Sequence, residues 1–156
     1  MSEKDFYPFE PPDATGLSLI PLRVRYKLDC AGVRLRLSQW QTMTSEDKAQ
    51  LLQLPVATLS EQNAYRVALS QMVGRQGETL LADGSDTAQQ EWRNTGKWPE
   101  VVVRQCDAQQ LNLPPLAEWQ ELAETDRHAL FVLARSHHSQ KEFFAAMALF
   151  FTSRTR

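Results

Sequence analysis

The sequence predicts a mainly α-helical protein, with two tandem helical units of about three helices each, packed with approximate twofold pseudo-symmetry. Three observations point there. Apolar residues recur at helical spacing, most cleanly at Tyr65, Ala68, Leu69, Met72 and Val73. Helix start and stop signals bracket such segments, among them the capping box Thr58-Leu59-Ser60-Glu61. The apolar pattern of residues 20–73 then returns in residues 98–151.

Residues 1–18 read as an extended arm, because Pro8, Pro11, Pro12 and Gly16 oppose regular structure. Phe6, Tyr7 and Phe9 are costly to leave in water, so the arm is expected to pack on something. Residues 19–74 form the first helical repeat. Pro21 suits a first helical position, where its missing N–H does no harm. Ile20, Val24 and Leu28 fall four apart on one face, and Gly32 can end the helix. Val33, Leu35 and Leu37 then alternate with Arg34, Arg36 and Ser38, the period of a short strand or an extended connector. Thr44 or Ser45 can cap a second helix, with Glu46 and Asp47 in its first turn. Leu51, Leu52 and Leu54 give that helix an apolar side, and Pro55 stops it. The third helix opens at the Thr58 capping box and closes at Gly74. Residues 75–97 read as a polar linker, mobile at Asp83-Gly84-Ser85, with Leu80, Leu81 and Trp92 as anchors.

Residues 98–152 repeat the first unit. Ile20, Pro21, Val24, Leu28 and Asp29 reappear 78 positions later as Trp98, Pro99, Val102, Cys106 and Asp107. Leu37, Trp40, Asp47, Leu51 and Leu54 reappear at an offset of 79 as Leu116, Trp119, Asp126, Leu130 and Leu133. Tyr65, Ala68, Leu69, Met72 and Val73 become Phe143, Ala146, Met147, Phe150 and Phe151, again at 78. The paired Pro, Asp and Trp positions are no part of helix periodicity, so a generic amphipathic pattern does not account for them. Two such units, each with one apolar side, are expected to make one compact globular whole.

Hydrophobic residues make up 42% of the 156 residues and charged ones 23%, which argues against disorder. No apolar run approaches the roughly 20 residues that span a bilayer, and the N-terminus is unlike a signal peptide, so the expected location is the cytoplasm, without a membrane role. The net charge is −2 but unevenly spread. A basic cluster, Arg23, Arg25, Lys27, Arg34 and Arg36, stands against acidic stretches in the arm and linker. It can attract an anion, an acidic partner or nucleic acid, or form a solvated face.

No strong catalytic motif is present, and no phosphate-cradling glycine loop. The chain is therefore expected to be no enzyme and to carry no cofactor and no metal. Cys106 takes the place of Leu28 and reads as a small buried hydrophobe, with Cys30 just beyond that face of its own helix. His138 lies beside a helix start, near Arg135, where backbone N–H groups favour anions. Trp40 and Trp119, with Tyr65 and Phe143, read as matched structural anchors. The apolar surface of the 139–151 helix exceeds one face, so it is either deeply buried or a contact, for instance between two copies of the chain.

Phe6-x-x-Phe9-Glu10, followed by Ile20-Pro21-x-x-Val24-Arg25-Tyr26-Lys27-Leu28-Asp29-x-x-Gly32-Val33-x-Leu35-x-Leu37-x-x-Trp40, resembles the start of the nitrate reductase-associated proteins of bacteria and cyanobacteria. Leu113, Trp119, Leu122, Arg127, Ala129-Leu130, Leu133, Arg135-Ser136 and His138 extend the resemblance over nearly the whole chain. The sequence departs at His137-His138-Ser139-Gln140, and at Gln109-Gln110, where a glycine would mirror Gly32. The resemblance implies a cytoplasmic accessory protein of assimilatory nitrate reductase, a molybdenum and iron–sulfur enzyme, with no reaction of its own. It would support the reductase's activity, maturation or stability by contact with the reductase or its electron donor. Arg23, Arg25, Lys27, Arg34, Arg36, Arg135 and His138 are the candidate contacts. Two other readings are a module for a small anion or molybdenum-cofactor precursor and, weakest, a nucleic-acid-binding regulator.

Overall fold

The computed structural model describes residues 6–11, 16–82, 91–136 and 139–151. Among them the chain is mainly helical, with eight α-helices and two strands of two residues each. It divides into two compact units, Met1–Ser85 and Asp86–Arg156.

In the first unit, α1 (Leu22–Ala31) begins one residue later than the proline suggests, because Pro21 is the N-cap itself. Proline has no side-chain acceptor to offer the first turn, and Glu10 of the arm supplies one. Its Oε2 accepts the Leu22 N–H at 3.1 Å, and its Oε1 accepts the Tyr7 N–H at 2.9 Å. The arm thus docks through an anion at a helix amino end, where the peptide dipoles favour negative charge. Tyr7 is buried and stacks on Phe9, while Phe6 packs against the core of the unit. Gly32 ends α1 in the left-handed conformation, φ 72°.

The alternation after Gly32 gives β1 (Val33–Arg34), which pairs antiparallel with β2 (Leu81–Ala82), Val33 opposite Ala82 and Arg34 opposite Leu81. The polar stretch 75–97 is therefore not uniform. Leu80 packs on the first core, the strand after it closes a ladder, and farther on Trp92 is buried in the 3-10 turn Glu91–Arg93. Apolar anchors within a polar stretch explain this, since burying each one outweighs the loop's preference for water.

Next come α2 (Leu37–Thr42), α3 (Ser45–Gln53) and α4 (Leu59–Gly74). Thr44 caps α3, its hydroxyl accepting from the Asp47 N–H at 3.1 Å. The Thr58–Glu61 capping box opens α4, with both reciprocal bonds made. The core gathers Val24 and Leu28 of α1, Trp40 of α2, Leu51 and Leu52 of α3, and Tyr65, Leu69, Met72 and Val73 of α4. Fully burying each of the leucines contributes about 1.5–3 kcal/mol.

The second unit holds α5 (Glu100–Ala108), α6 (Leu116–Glu121), α7 (Glu124–Arg135) and α8 (Gln140–Phe151). α7 packs against α5, α8 and the 3-10 turn. Trp98 lies 5.0 Å from Trp119 and edge-on to Phe151. α5 also starts after a proline N-cap, Pro99. At its end Gln110 takes a positive φ of 58°, 78 residues after Gly32. The Leu111 N–H reaches back to the Cys106 carbonyl at 2.8 Å, the wrap-around bond of a left-handed helix stop. The backbone demand persists although the residue there is not glycine. α8 buries Phe143, Ala146, Met147 and Phe151, while Phe144 and Leu149 are 54% and 51% exposed. Among the described residues no helix is long and apolar enough to cross a membrane.

Candidate partner-binding surface

The fold divides the basic cluster into cations it uses and cations it leaves outside. Lys27 is used: Nζ donates to the carbonyls of Leu52 and Leu54, each at 2.6 Å, at the carboxyl end of α3. A cation there satisfies orphan carbonyls and suits the helix dipole. Arg66 does the same for α1, donating to the Ala31 carbonyl at 2.9 Å while its other amino group meets Asn63. Arg23 lies with its guanidinium 4.6 Å from the centre of the Tyr7 ring, fastening the arm from above.

Arg25, Arg34 and Arg36 are exposed. Burial among its neighbours pulls the Arg25 guanidinium below its ordinary value, and the carboxylates of Asp29, one helical turn on, and Glu10 partly offset this. Arg34 and Arg36 form no ion pair among the described residues. They alternate with buried Val33 and half-buried Leu35, so both stand on the outer side of one extended segment.

Arg135, at the carboxyl end of α7, is exposed and lies 5.3 Å over the Phe131 ring. It belongs to the second unit. His137 and His138, and the Asp83-Gly84-Ser85 loop, lie outside the described residues.

Trp40, Trp119, Tyr65 and Phe143 are all fully buried. Trp40 Nε1 donates to the Leu17 carbonyl at 2.9 Å, and Gln41 beside it donates to the Ser18 carbonyl at 3.0 Å. Trp119 Nε1 donates to the Asn94 carbonyl and Gln120 to the Thr95 carbonyl, both at 2.9 Å. In both units, then, a Trp-Gln pair grips two successive carbonyls of the segment that precedes the first helix. A cation completes each arrangement. Lys48 Nζ sits 5.5 Å over Trp40, and Arg127 sits 5.9 Å over Trp119. The Tyr65 hydroxyl donates to the Leu51 carbonyl at 2.9 Å, tying α4 to α3.

Cys106 is buried, and burial with the nearby Asp107 pushes its thiol up to about 11, which keeps it protonated and unreactive at neutral pH. Cys30 is half-buried in the other unit. Among the described residues no group of three or more His, Cys, Asp or Glu side chains is placed to hold a metal ion. Burial raises the Glu10 carboxyl above its ordinary value, against the pull of its two backbone N–H bonds and of Arg23 and Arg25.

Several of these residues escape a sequence reading aimed at charge clusters. Glu10, the Trp-following glutamines and the Lys48/Arg127 cations gain their roles only through the fold. The pairings Gln41 with Gln120 and Lys48 with Arg127 recur at the offset of 79, and that recurrence is the signal that finds them.

Trp40, Trp92 and Trp119 are buried, and of the basic cluster Arg25, Arg34 and Arg36 stay exposed, which defines a small helical protein with cations at one part of its surface. The chain belongs to the conserved nitrate reductase-associated protein family, whose model matches residues 6–150. No curated protein and no solved structure matches it.

Proposed function

We propose that this protein is a non-catalytic accessory factor of nitrate reductase, acting in the cytoplasm and supporting the enzyme's activity, maturation or stability by direct contact. The association with the reductase rests on the family. The observation that carries the contact is the exposed set Arg25, Arg34 and Arg36, left over after the fold has used Lys27 and Arg23 internally. Arg34 and Arg36 form no ion pair among the described residues, so they are open to an acidic surface and raise the rate of encounter, while Arg25 is shared with Asp29 and Glu10.

The matched helices, proline caps and Trp-Gln grips support the reading of the chain as two diverged copies of one unit. Under that reading the duplication is scaffold and the contact surface is asymmetric. Arg34 and Arg36 correspond at the offset of 78 to Asn112 and Pro114, neither of them charged.

The test is co-purification from a nitrate-grown host, with mass spectrometry of the captured proteins and cofactors. The reductase or its electron donor is expected in the eluate. Failure to capture either, together with normal nitrate reduction in a deletion strain, overturns the proposal.

A further inference from the structure

Arg34 and Arg36 are two residues apart on an extended segment, and neither forms an ion pair among the described residues. A strand advances about 3.3 Å per residue, so the two side chains leave the backbone roughly 6.6 Å apart on the same side. Their spacing is held from both ends. Upstream, Val33 is buried and Arg34 is in the ladder opposite Leu81. Downstream, the Arg36 N–H donates to Gln39 Oε1 at 2.9 Å, and Gln39 is itself fixed, its Nε2 donating to Glu78 at 2.8 Å and its carbonyl accepting from Gln76 at 2.9 Å. The result is a braced base carrying two exposed guanidiniums.

We infer that Arg34 and Arg36 form a two-pronged seat for an extended acidic segment of the protein partner, one with carboxylates on alternate residues. An extended chain repeats its side chains at period two, in step with the fork, so each guanidinium meets one carboxylate in paired N–H···O bonds. Two phosphates of a single-stranded nucleic acid offer a similar spacing. The association with a protein enzyme that the family's description indicates favours the carboxylates, and the nucleic acid becomes an outcome of the test. The inference rests on the accessory role and assigns it a recognition element.

The test uses the full chain and two labelled peptides of equal composition, one with glutamates alternating with threonine and valine, the other with the glutamates contiguous. An oligothymidylate of equal charge serves as a third probe. Fluorescence anisotropy is expected to show the alternating peptide binding best. R34A/R36A should weaken it tenfold or more, R34K/R36K should recover part of the loss, and R104A, which alters an exposed arginine of the second unit, should leave it unchanged. Equal binding by R34A/R36A, indifference to glutamate spacing, or preference for the oligonucleotide overturns the inference. Capture of the reductase by R34A/R36A as well as by the unaltered chain also overturns it, while leaving the accessory role intact. Peptide binding without any capture of the reductase or its donor upholds the fork and removes the accessory role.

Discussion

Trp40 and Trp119 make the same bond in the two halves of the chain: each buried indole donates its N–H at 2.9 Å to a carbonyl just upstream of its unit's first helix, that of Leu17 and that of Asn94. The bonds are alike, but their surroundings are not. The Leu17 carbonyl also accepts from Lys48 Nζ at 3.2 Å. In the second unit the matching cation, Arg127, turns instead to the carbonyls of Trp92 and Leu122.

Replacing each tryptophan with phenylalanine should therefore have unequal effects. Both W40F and W119F lose similar buried volume. W119F in addition takes the indole donor from Asn94, whereas in W40F the Leu17 carbonyl keeps Lys48. Asn94 is exposed and the bond part-buried, so what W119F loses is the net worth of one hydrogen bond, about 0.5–1.5 kcal/mol. W119F is expected to be the more destabilised of the two by about 0.5–1.5 kcal/mol, read as the shift in denaturant midpoint; equal losses would contradict this account.

Lys27 and the Arg34/Arg36 pair should separate stability from binding. K27M removes both donors from the α3 carboxyl end, and should lower stability by about 1–3 kcal/mol while leaving capture of the reductase unchanged. R34A/R36A alters two exposed side chains and should change stability by no more than about 0.5 kcal/mol for each substitution. Thermal melts and pull-downs on the same two variants check both halves. A binding loss in K27M at a temperature where it remains folded would return Lys27 to the contact surface.

The helices were legible because their signals are local. Thr44, Thr58 with Glu61, Gly32 and the prolines each act on backbone within a few residues, so spacing along the chain is enough to read them. The division of the basic cluster was not legible. Arg34, Arg36 and Lys27 look alike in sequence, and only the return of the α3 carboxyl end to α1 makes Lys27 internal. Glu10 was hidden for the same reason, since its second partner, Leu22, is 12 residues away across the arm's turn. Within the polar stretch 75–97 the apolar anchors were legible as Leu80, Leu81 and Trp92, but the partner of the strand at Leu81–Ala82, the segment Val33–Arg34, lies too far along the chain to be read locally.

Gly32 and Gln110 give a reciprocal pair of substitutions. Both have positive φ, 72° and 58°, and a Cβ added at Gly32 would meet nothing within 4 Å. The cost at either position is therefore backbone strain and not collision. A non-glycine residue in the left-handed region costs about 1–2 kcal/mol. G32A should destabilise the first unit by about 1 kcal/mol, and Q110G should stabilise the second by about 0.5–1 kcal/mol, the strain relieved being partly offset by glycine's greater freedom when unfolded. Denaturant midpoints moving in opposite directions is the expected result; a loss of stability in Q110G would show that the Gln110 side chain makes a contact that matters more.

Glu10 should make docking of the arm depend on pH, in a direction opposite to that of a surface carboxylate. Its oxygens accept two backbone N–H bonds, which favour the anion, but burial outweighs them and raises its pKa above the ordinary 4.5. A carboxyl raised on folding takes up its proton earlier in the folded chain than in the unfolded one. The gain is lost as pH rises through the folded value and is complete below 4.5. E10Q cannot titrate and can accept only one of the two N–H groups, so it should be less stable throughout and should lack this gain. The stability of the unaltered chain relative to E10Q should therefore widen as pH falls from neutral toward 4.5 and then level off. Denaturant titrations of both proteins across that range measure it, and a difference that narrows on acidification would mean that the two N–H bonds and Arg23 hold the carboxylate more strongly than burial opposes it.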